Sequence, residues 1–200
     1  GADLAEAGVL AHWPRPRPAK LDAVVLGWIM RGSKHRSWGI EAAGGKALAV
    51  QADVTVEADV LRLFKTVDEK LGVLDVLVNN AGMLEKQARL DQMDVARWQR
   101  VLDVNLASVY RACRAAIPRL HQRGGGAIVN IASQLGHLSV AGRSPYCTTK
   151  AALIKYTEVL AMDYARDNIR ANTISPGFIL TERSSRRSGG KENASRIQGP

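Results

Sequence analysis

From residue 46 onward, short aliphatic and β-branched runs alternate with longer segments whose apolar positions recur every three or four residues. That is the pattern of parallel strands joined by helices. "KALAVQADV" (46–54) predicts a strand, and "VEADVLRLFKTVDEKLG" (56–72) a helix with Val60, Leu61, Phe64, Val67 and Leu71 as its apolar positions. "VLDVLVN" (73–79) predicts the next strand. A long helical stretch from about Asp94 to His121 follows, then strand "AIVNIAS" (127–133), a helix from about Pro145 to Arg166 and strand "IRANTIS" (169–175). Gly124, Gly125 and Gly126 mark the turn out of the first of these long helices, where helix ends favour glycine. The prediction is one α/β domain over 1–200, without internal repeats.

The flanks break this pattern. Residues 1–39 hold three of the four tryptophans and the run "HWPRPRPAK", with one strand-like segment at 23–30. Residues 184–200 contain a single large aliphatic side chain, Ile197. Both flanks, 1–39 and 184–200, are expected to be poorly ordered. The apolar run "AVVLGWIM" at 23–30 is far shorter than the roughly 20 residues of a membrane span. The opening acids and prolines do not make a secretory signal. No membrane association is expected, and a cytoplasmic location is.

The net charge of +9 divides evenly: six Lys and Arg against three acids in 1–39, five against two in 182–200, and seventeen against fourteen in 40–181, so each part carries +3. The excess is densest in the ends. Basic tails can grip phosphate, but no aromatic is interleaved with the C-terminal basic run and no recognition motif accompanies it, so nucleic acid is not the expected partner. Cys113, Cys147 and the scattered His12, His35, His121 and His137 lack ligand spacing, so no metal site is expected.

Candidate chemistry gathers around "SPYCTTKAAL" (144–153). Tyr146 and Lys150 are four apart on a predicted helix and so share one face. Ser133 ends the strand "AIVNIAS" thirteen residues earlier; in an open parallel sheet, ligands sit beyond the carboxyl ends of the strands. "NNAG" (79–82) follows the strand "VLDVLV" at another such end, where small residues admit a flat ligand to the backbone. Asn105 lies within the predicted long helix, forty-one residues before Tyr146, and a buried helical Asn is costly unless its amide is satisfied.

On "ADV" (52–54), "NNAG", Asn105, Ser133, "YCTTK" and "SPGFILT" (175–181), the chain resembles the short-chain dehydrogenase/reductases over about residues 40–183. It is similar to the bacterial 3-oxoacyl carrier-protein reductase and sugar or polyol dehydrogenase types. The resemblance implies a Rossmann-like doubly wound parallel sheet in three layers, incomplete at both ends, an NAD or NADP cofactor, and hydride transfer between nicotinamide and a carbonyl or secondary alcohol. It implies Tyr146 as general acid/base, Lys150 as the cation that favours its ionised form and holds the nicotinamide ribose, Ser133 as donor to the substrate oxygen, and Asn105 as holder of a water on the proton path. Asp53 and Val54 would flank the adenine; Asn80, Ala81 and Gly82 would line the ribose and phosphate; Ile179 and Thr181, after Pro176 and Gly177, would meet the carboxamide. Met83, Leu84, Gln134, His137, Leu138 and Phe178 fall where the family lines its substrate pocket. The segments 94–121 and 145–166 would form a homo-oligomer contact.

Two departures shape a competing expectation. The family's Thr-Gly-x-x-x-Gly-x-Gly loop is absent; the nearest string, "VVLGWIMRGS", has Gly27 and Gly32 at the wrong spacing with Trp28, Ile29 and Met30 between. The pattern also lapses near 40 and 183, as a shifted reading frame would leave it. The alternative is therefore a catalytically impaired remnant that only pairs with intact relatives.

Overall fold

The computed structural model describes residues 23–27 and 47–179 of the 200-residue chain. Strand β1 (Ala23–Gly27) pairs in parallel with β2 (Ala47–Gln51). Helix α1 (Glu57–Lys70) leads to β3 (Val76–Asn79), and α2 (Val95–Leu102) runs through a π-helical turn at Asp103–Ala107 into α3 (Ser108–Gln122). Strand β4 (Gly126–Ile131), helix α4 (Ser144–Asp163) and strand β5 (Ile169–Ile174) complete the order. Strands β3, β4 and β5 form a second parallel sheet in that order, and no ladder among the described residues joins it to the β1–β2 pair. Residues 23–27 of the strand-like segment thus fill one strand position beside β2, and residues 28–30 of it lie outside the described residues.

The buried positions of α1 are Val60, Leu63, Phe64 and Val67, one stripe at three- and four-residue spacing. Leu61, expected among them, is off that stripe and exposed, and Leu63 takes its place. Leu77 of β3, Ile128 of β4 and Ile169 and Ala171 of β5 alternate onto one sheet face, as period two requires. They share a single core with Val60 and Phe64 of α1, Val109, Cys113, Ala116 and Leu120 of α3, and Leu153 and Leu160 of α4. All three of these helices therefore cover the same face. On the other face Val76 and Ile174 are about half exposed, and the third layer of the expected sandwich is not represented among the described residues.

Two details depart from the predicted elements. The long helix over 94–121 is interrupted by the π turn, a rare conformation that collects at functional sites. The helix over 145–166 ends at Asp163, and a separate 3₁₀ turn over Ala165–Asp167 leads through left-handed Asn168 into β5. The glycine turn before β4 is needed for geometry: Gly125 has φ of +129°, and a Cβ there would lie 2.4 Å from Asn168 O.

Candidate active site

Helix α4 begins with Pro145 in its first turn, where the missing N–H costs nothing. Its inward stripe is Thr149, Lys150, Leu153, Thr157 and Leu160, so the spacing that packs the helix also carries a lysine into the interior. Lys150 is 4% exposed. Its Nζ donates to Ile131 O at the end of β4 (2.7 Å) and lies 5.7 Å from the centre of the Tyr146 ring. Ser133, two residues past β4, accepts from Leu135 N at 3.2 Å to start a 3₁₀ turn. Its hydroxyl approaches the Tyr146 hydroxyl closely enough to favour the phenol's ionised form. Ser133, Tyr146 and Lys150 are thus brought together at the carboxyl end of the central strand of this sheet.

Asn105, on the π turn, is fully buried. Its Oδ1 accepts from Met83 N (2.8 Å), while Nδ2 donates to Met83 O (3.0 Å) and Thr149 Oγ1 (3.2 Å). Thr149 in turn donates to Tyr146 O. Both amide donors are spent on the protein, which satisfies the polar group that sequence reasoning singled out. Gly82 sits between Asn105 and Lys150: a Cβ there would be 3.5 Å from Asn105 Oδ1 and 3.6 Å from Lys150 Nζ. Behind it, Asn79 donates to Asn130 Oδ1 and Asn130 to Thr157 Oγ1, both at 2.8 Å, a buried polar line from β3 through β4 to α4.

The remaining predicted residues lie on the neighbouring strand ends. Asn80 and Ala81, with Val54, line a narrow cleft of about 30 Å³. Burial pushes the Asp53 carboxyl up, but hydrogen bonds from Thr55 and the Arg100 charge together outweigh it and hold the group below the usual range. Pro176 O accepts from Gln134 N at 2.9 Å, and Gly177 abuts the Gln134 side chain. Ile179 is exposed; Thr181 lies outside the described residues. Among the pocket candidates, His137 is within 3.2 Å of Ser175 Oγ, and Leu138 and Phe178 are exposed. Met83 is not free to line a pocket: its side chain is buried with Val101 and Val104. Sequence reasoning missed Thr149, Asn130, Thr157 and Glu85, all buried. The signal for Asn130 was present, a lone amide inside the apolar run "AIVNIA".

One electrostatic expectation is corrected. The Lys150 charge was expected to draw the Tyr146 phenol down toward neutrality, yet burial pushes Tyr146 up and outweighs the Ser133 contact. A buried phenolate forfeits its hydration. The same burial pushes Lys150 down to about 8. The site therefore offers a protonated phenol, a hydroxyl and a buried amine on one wall, which suits a carbonyl oxygen beside a diol-bearing group. The donor types fit the nicotinamide riboside end of a dinucleotide.

Comparison with known proteins identifies the family. The short chain dehydrogenase family model matches residues 20–191, reaching further into both flanks than the motifs do. The chain is 37% identical over 177 residues to a cis-4-hydroxycyclohexanecarboxylate dehydrogenase of Sinomonas cyclohexanicum, covering 88% of this chain and 71% of that protein. It is 37% identical over 143 residues to a 3-oxoacyl-[acyl-carrier-protein] reductase of Synechocystis, covering 72% of this chain and 58% of the reductase. Its fold superposes with a TM-score of 0.72 and 33% identity on a short-chain dehydrogenase/reductase from Burkholderia xenovorans, covering 79% of this chain and 60% of that one. The chain thus spans less than two thirds of the latter two. With the family model matched across most of its length and the motif residues gathered at the strand ends, the chain belongs to the short-chain dehydrogenase family.

Proposed function

We propose that this chain is an NAD(P)-dependent oxidoreductase acting between a carbonyl and a secondary alcohol, with Tyr146 as its general acid/base. The observation that carries the reading is the grouping of Ser133, Tyr146 and buried Lys150 around the end of β4, with Lys150 Nζ anchored on Ile131 O. When bound, NAD or NADP supplies the hydride or accepts it. Ser133 donates to the substrate oxygen and orients it. Tyr146 gives its hydroxyl proton to that oxygen as negative charge develops during reduction, and takes it back in the reverse direction. Lys150 holds the ribose hydroxyls and, when charged, eases loss of the Tyr146 proton. Asn105 holds a water on the proton path through its spare Oδ1 lone pair or its main-chain carbonyl, since its amide donors are spent. Asp53 and Val54 would flank the adenine, Asn80, Ala81 and Gly82 would line the adenosine ribose and phosphate, and Pro176, Gly177 and Ile179, with Thr181 beyond the described residues, would meet the carboxamide.

Titration with NADH and with NADPH, followed by nicotinamide fluorescence, tests the reading and chooses the cofactor. Saturable binding that is lost in Lys150→Ala supports it. A folded chain that binds neither dinucleotide overturns it.

A second reading concerns assembly. Gln99, Leu102, Leu106, Tyr110, Ala152 and Tyr156 line an apolar groove of about 460 Å³ across α2, α3 and α4. This favours pairing of two copies through the segments 94–121 and 145–166, or of this chain with an intact relative. Light scattering of the purified chain and of Tyr110→Glu distinguishes the states: a dimer that the charge converts to monomer supports pairing, and a monomeric wild type rejects self-pairing.

A further inference from the structure

Beside the proposed acid/base lies a group to which the mechanism gives no role. Glu85, on the loop after "NNAG", is 2% exposed, and neither carboxyl oxygen has a hydrogen-bond partner among the described residues. The loop is stitched to the segment before α4. Ala88 N donates to Gly142 O at 3.1 Å, Gln87 Nε2 to Ala141 O at 2.6 Å, and Arg143 Nη1 to Glu85 O. These bonds hold the loop that carries Glu85 against the residues that lead into α4. The first turn of α4 has no acidic residue of its own, and Arg143 at its cap makes no side-chain bond to it.

The groups that face Glu85 are its own backbone N–H, the Arg143 guanidinium ahead of α4, the Tyr146 backbone N–H on α4 and Arg97 on α2, none of them in hydrogen-bond geometry with the carboxyl. Each favours the charged form, and burial still outweighs them, so the carboxyl titrates above the usual carboxylate range. The Tyr146 phenol faces Ser133 and Arg143, which ease loss of its proton, and Glu85 and Cys147, which oppose it. Lys150 Nζ stands nearby.

Burying an unpaired carboxylate costs stability. A purely structural role would not explain an acid here, because an amide of the same shape would fill the same place without the charge.

We infer that Glu85 is a positioning residue for the proposed reaction: through its charge, on a loop pinned to the segment before α4, it sets how readily Tyr146 releases its proton. The inference rests on the acid/base reading of Tyr146. As pH rises through the Glu85 titration, the carboxylate appears and the Tyr146 proton is held more tightly. Glu85→Gln removes that repulsion while keeping the shape.

The test uses the full chain without cofactor, labelled with ¹³C at the tyrosine ζ carbon, with Tyr146→Phe identifying the resonance. In wild type the Tyr146 signal shows a small inflection above the ordinary carboxylate range, from Glu85. In Glu85→Gln that inflection vanishes, the phenol begins to ionise at lower pH, and the urea midpoint is no lower than wild type. Glu85→Asp keeps the inflection. An unchanged Tyr146 titration in Glu85→Gln overturns the inference. If that variant does not fold, wild type alone decides, since a Tyr146 signal without a carboxylate-linked inflection also overturns it. Because the readout needs no turnover, this outcome is separate from the failure of dinucleotide binding, which would sink the enzymatic reading and leave the Glu85–Tyr146 coupling intact.

Discussion

Asn105→Ala isolates what holds the site together. The side chain is fully buried and makes three hydrogen bonds, two of them to the main chain of Met83. Truncation strands the Met83 N–H and C=O in the interior, at about 1–3 kcal/mol each. Thr149 Oγ1 loses a donor but keeps Tyr146 O as its acceptor, so it adds little. The gross cost is about 2–6 kcal/mol; no longer burying the Asn105 amide offsets part of it, leaving about 2–4 kcal/mol. Against a total stability of about 5–15 kcal/mol, with a urea slope of about 2 kcal/mol per molar, the midpoint should fall by roughly 1–2 M. Circular dichroism at 222 nm against urea measures it. Hydrogen exchange at Met83 N–H should quicken in parallel, because that amide loses its only described acceptor. Thr149→Val strands one Asn105 N–H and should cost about 1–3 kcal/mol. The double variant should fall short of the sum by at least about 0.5 kcal/mol, since both changes break one bond. A midpoint within about 0.3 M of wild type at unchanged slope, roughly half a kcal/mol, would refute the claim that Asn105 fastens the "NNAG" loop to the helices.

Three further outcomes follow from the same geometry. Tyr146→Phe should lower turnover by about 10²–10⁴, the range for losing a general acid/base, with dinucleotide affinity nearly unchanged; full turnover in steady-state assays would remove Tyr146 from the mechanism. Lys150 is held near 8 against its ordinary 10.5, so between those pH values the unfolded chain binds a proton that the native chain has released, and native stability from this group rises with pH. Urea midpoints of wild type should therefore gain on those of Lys150→Met between about pH 8 and 10.5, and a constant difference would contradict the burial of a titrating amine. Gly125→Ala forces a side chain into positive φ and against Asn168 O, which should cost about 2–4 kcal/mol by thermal or urea unfolding; a loss under about 0.5 kcal/mol would show that the turn before β4 can relax.

The parts of the fold that were readable in sequence are those where one period dominates. Strands β2 to β5 and helices α1, α3 and α4 all match predicted segments, with β4, α3 and α4 each overrunning one end by a single residue, because each has a simple apolar rhythm. Leu61 and Leu63 show the limit: both are leucines two positions apart, and only the phase of the whole stripe tells which is buried. The π turn at 103–107 was not readable, since "DVNLA" has no local signature. What drew attention was Asn105 itself, a polar residue where the pattern wanted an apolar one. Tyr146, Lys150 and Ser133 were visible through spacing and strand-end position. Glu85 was not. An acid in a polar loop reads as solvated, and its burial arises from the hydrogen bonds that pull the loop onto the segment before α4, bonds between residues more than fifty apart.

The wiring also separates two jobs within the proposed enzyme. Lys150 is tied to β4 through Ile131 O, Ala132 N to Ile174 O and Gln134 N to Pro176 O at the exit of β5, and Asn105 to Met83 after β3. Every one of these bonds joins a carboxyl-end loop of β3, β4 or β5 to another such loop or to a helix that covers the same sheet face. None passes through β1 or β2. Asp53, by contrast, follows β2 and is tied to Thr55 and to Arg100 of α2. The groups that would do chemistry are thus organised by the three-stranded sheet and its helices, whereas those that would grip the adenine depend on the β1–β2 pair and its link across α2. Preorganised donors act on the barrier only through their fixed positions, and affinity for a long dinucleotide draws on both ends. In the proposed enzyme, rate would therefore be set within the three-stranded sheet while cofactor affinity would draw on both parts, and the "NNAG" loop, fastened by Asn105 and followed by Glu85, would serve both.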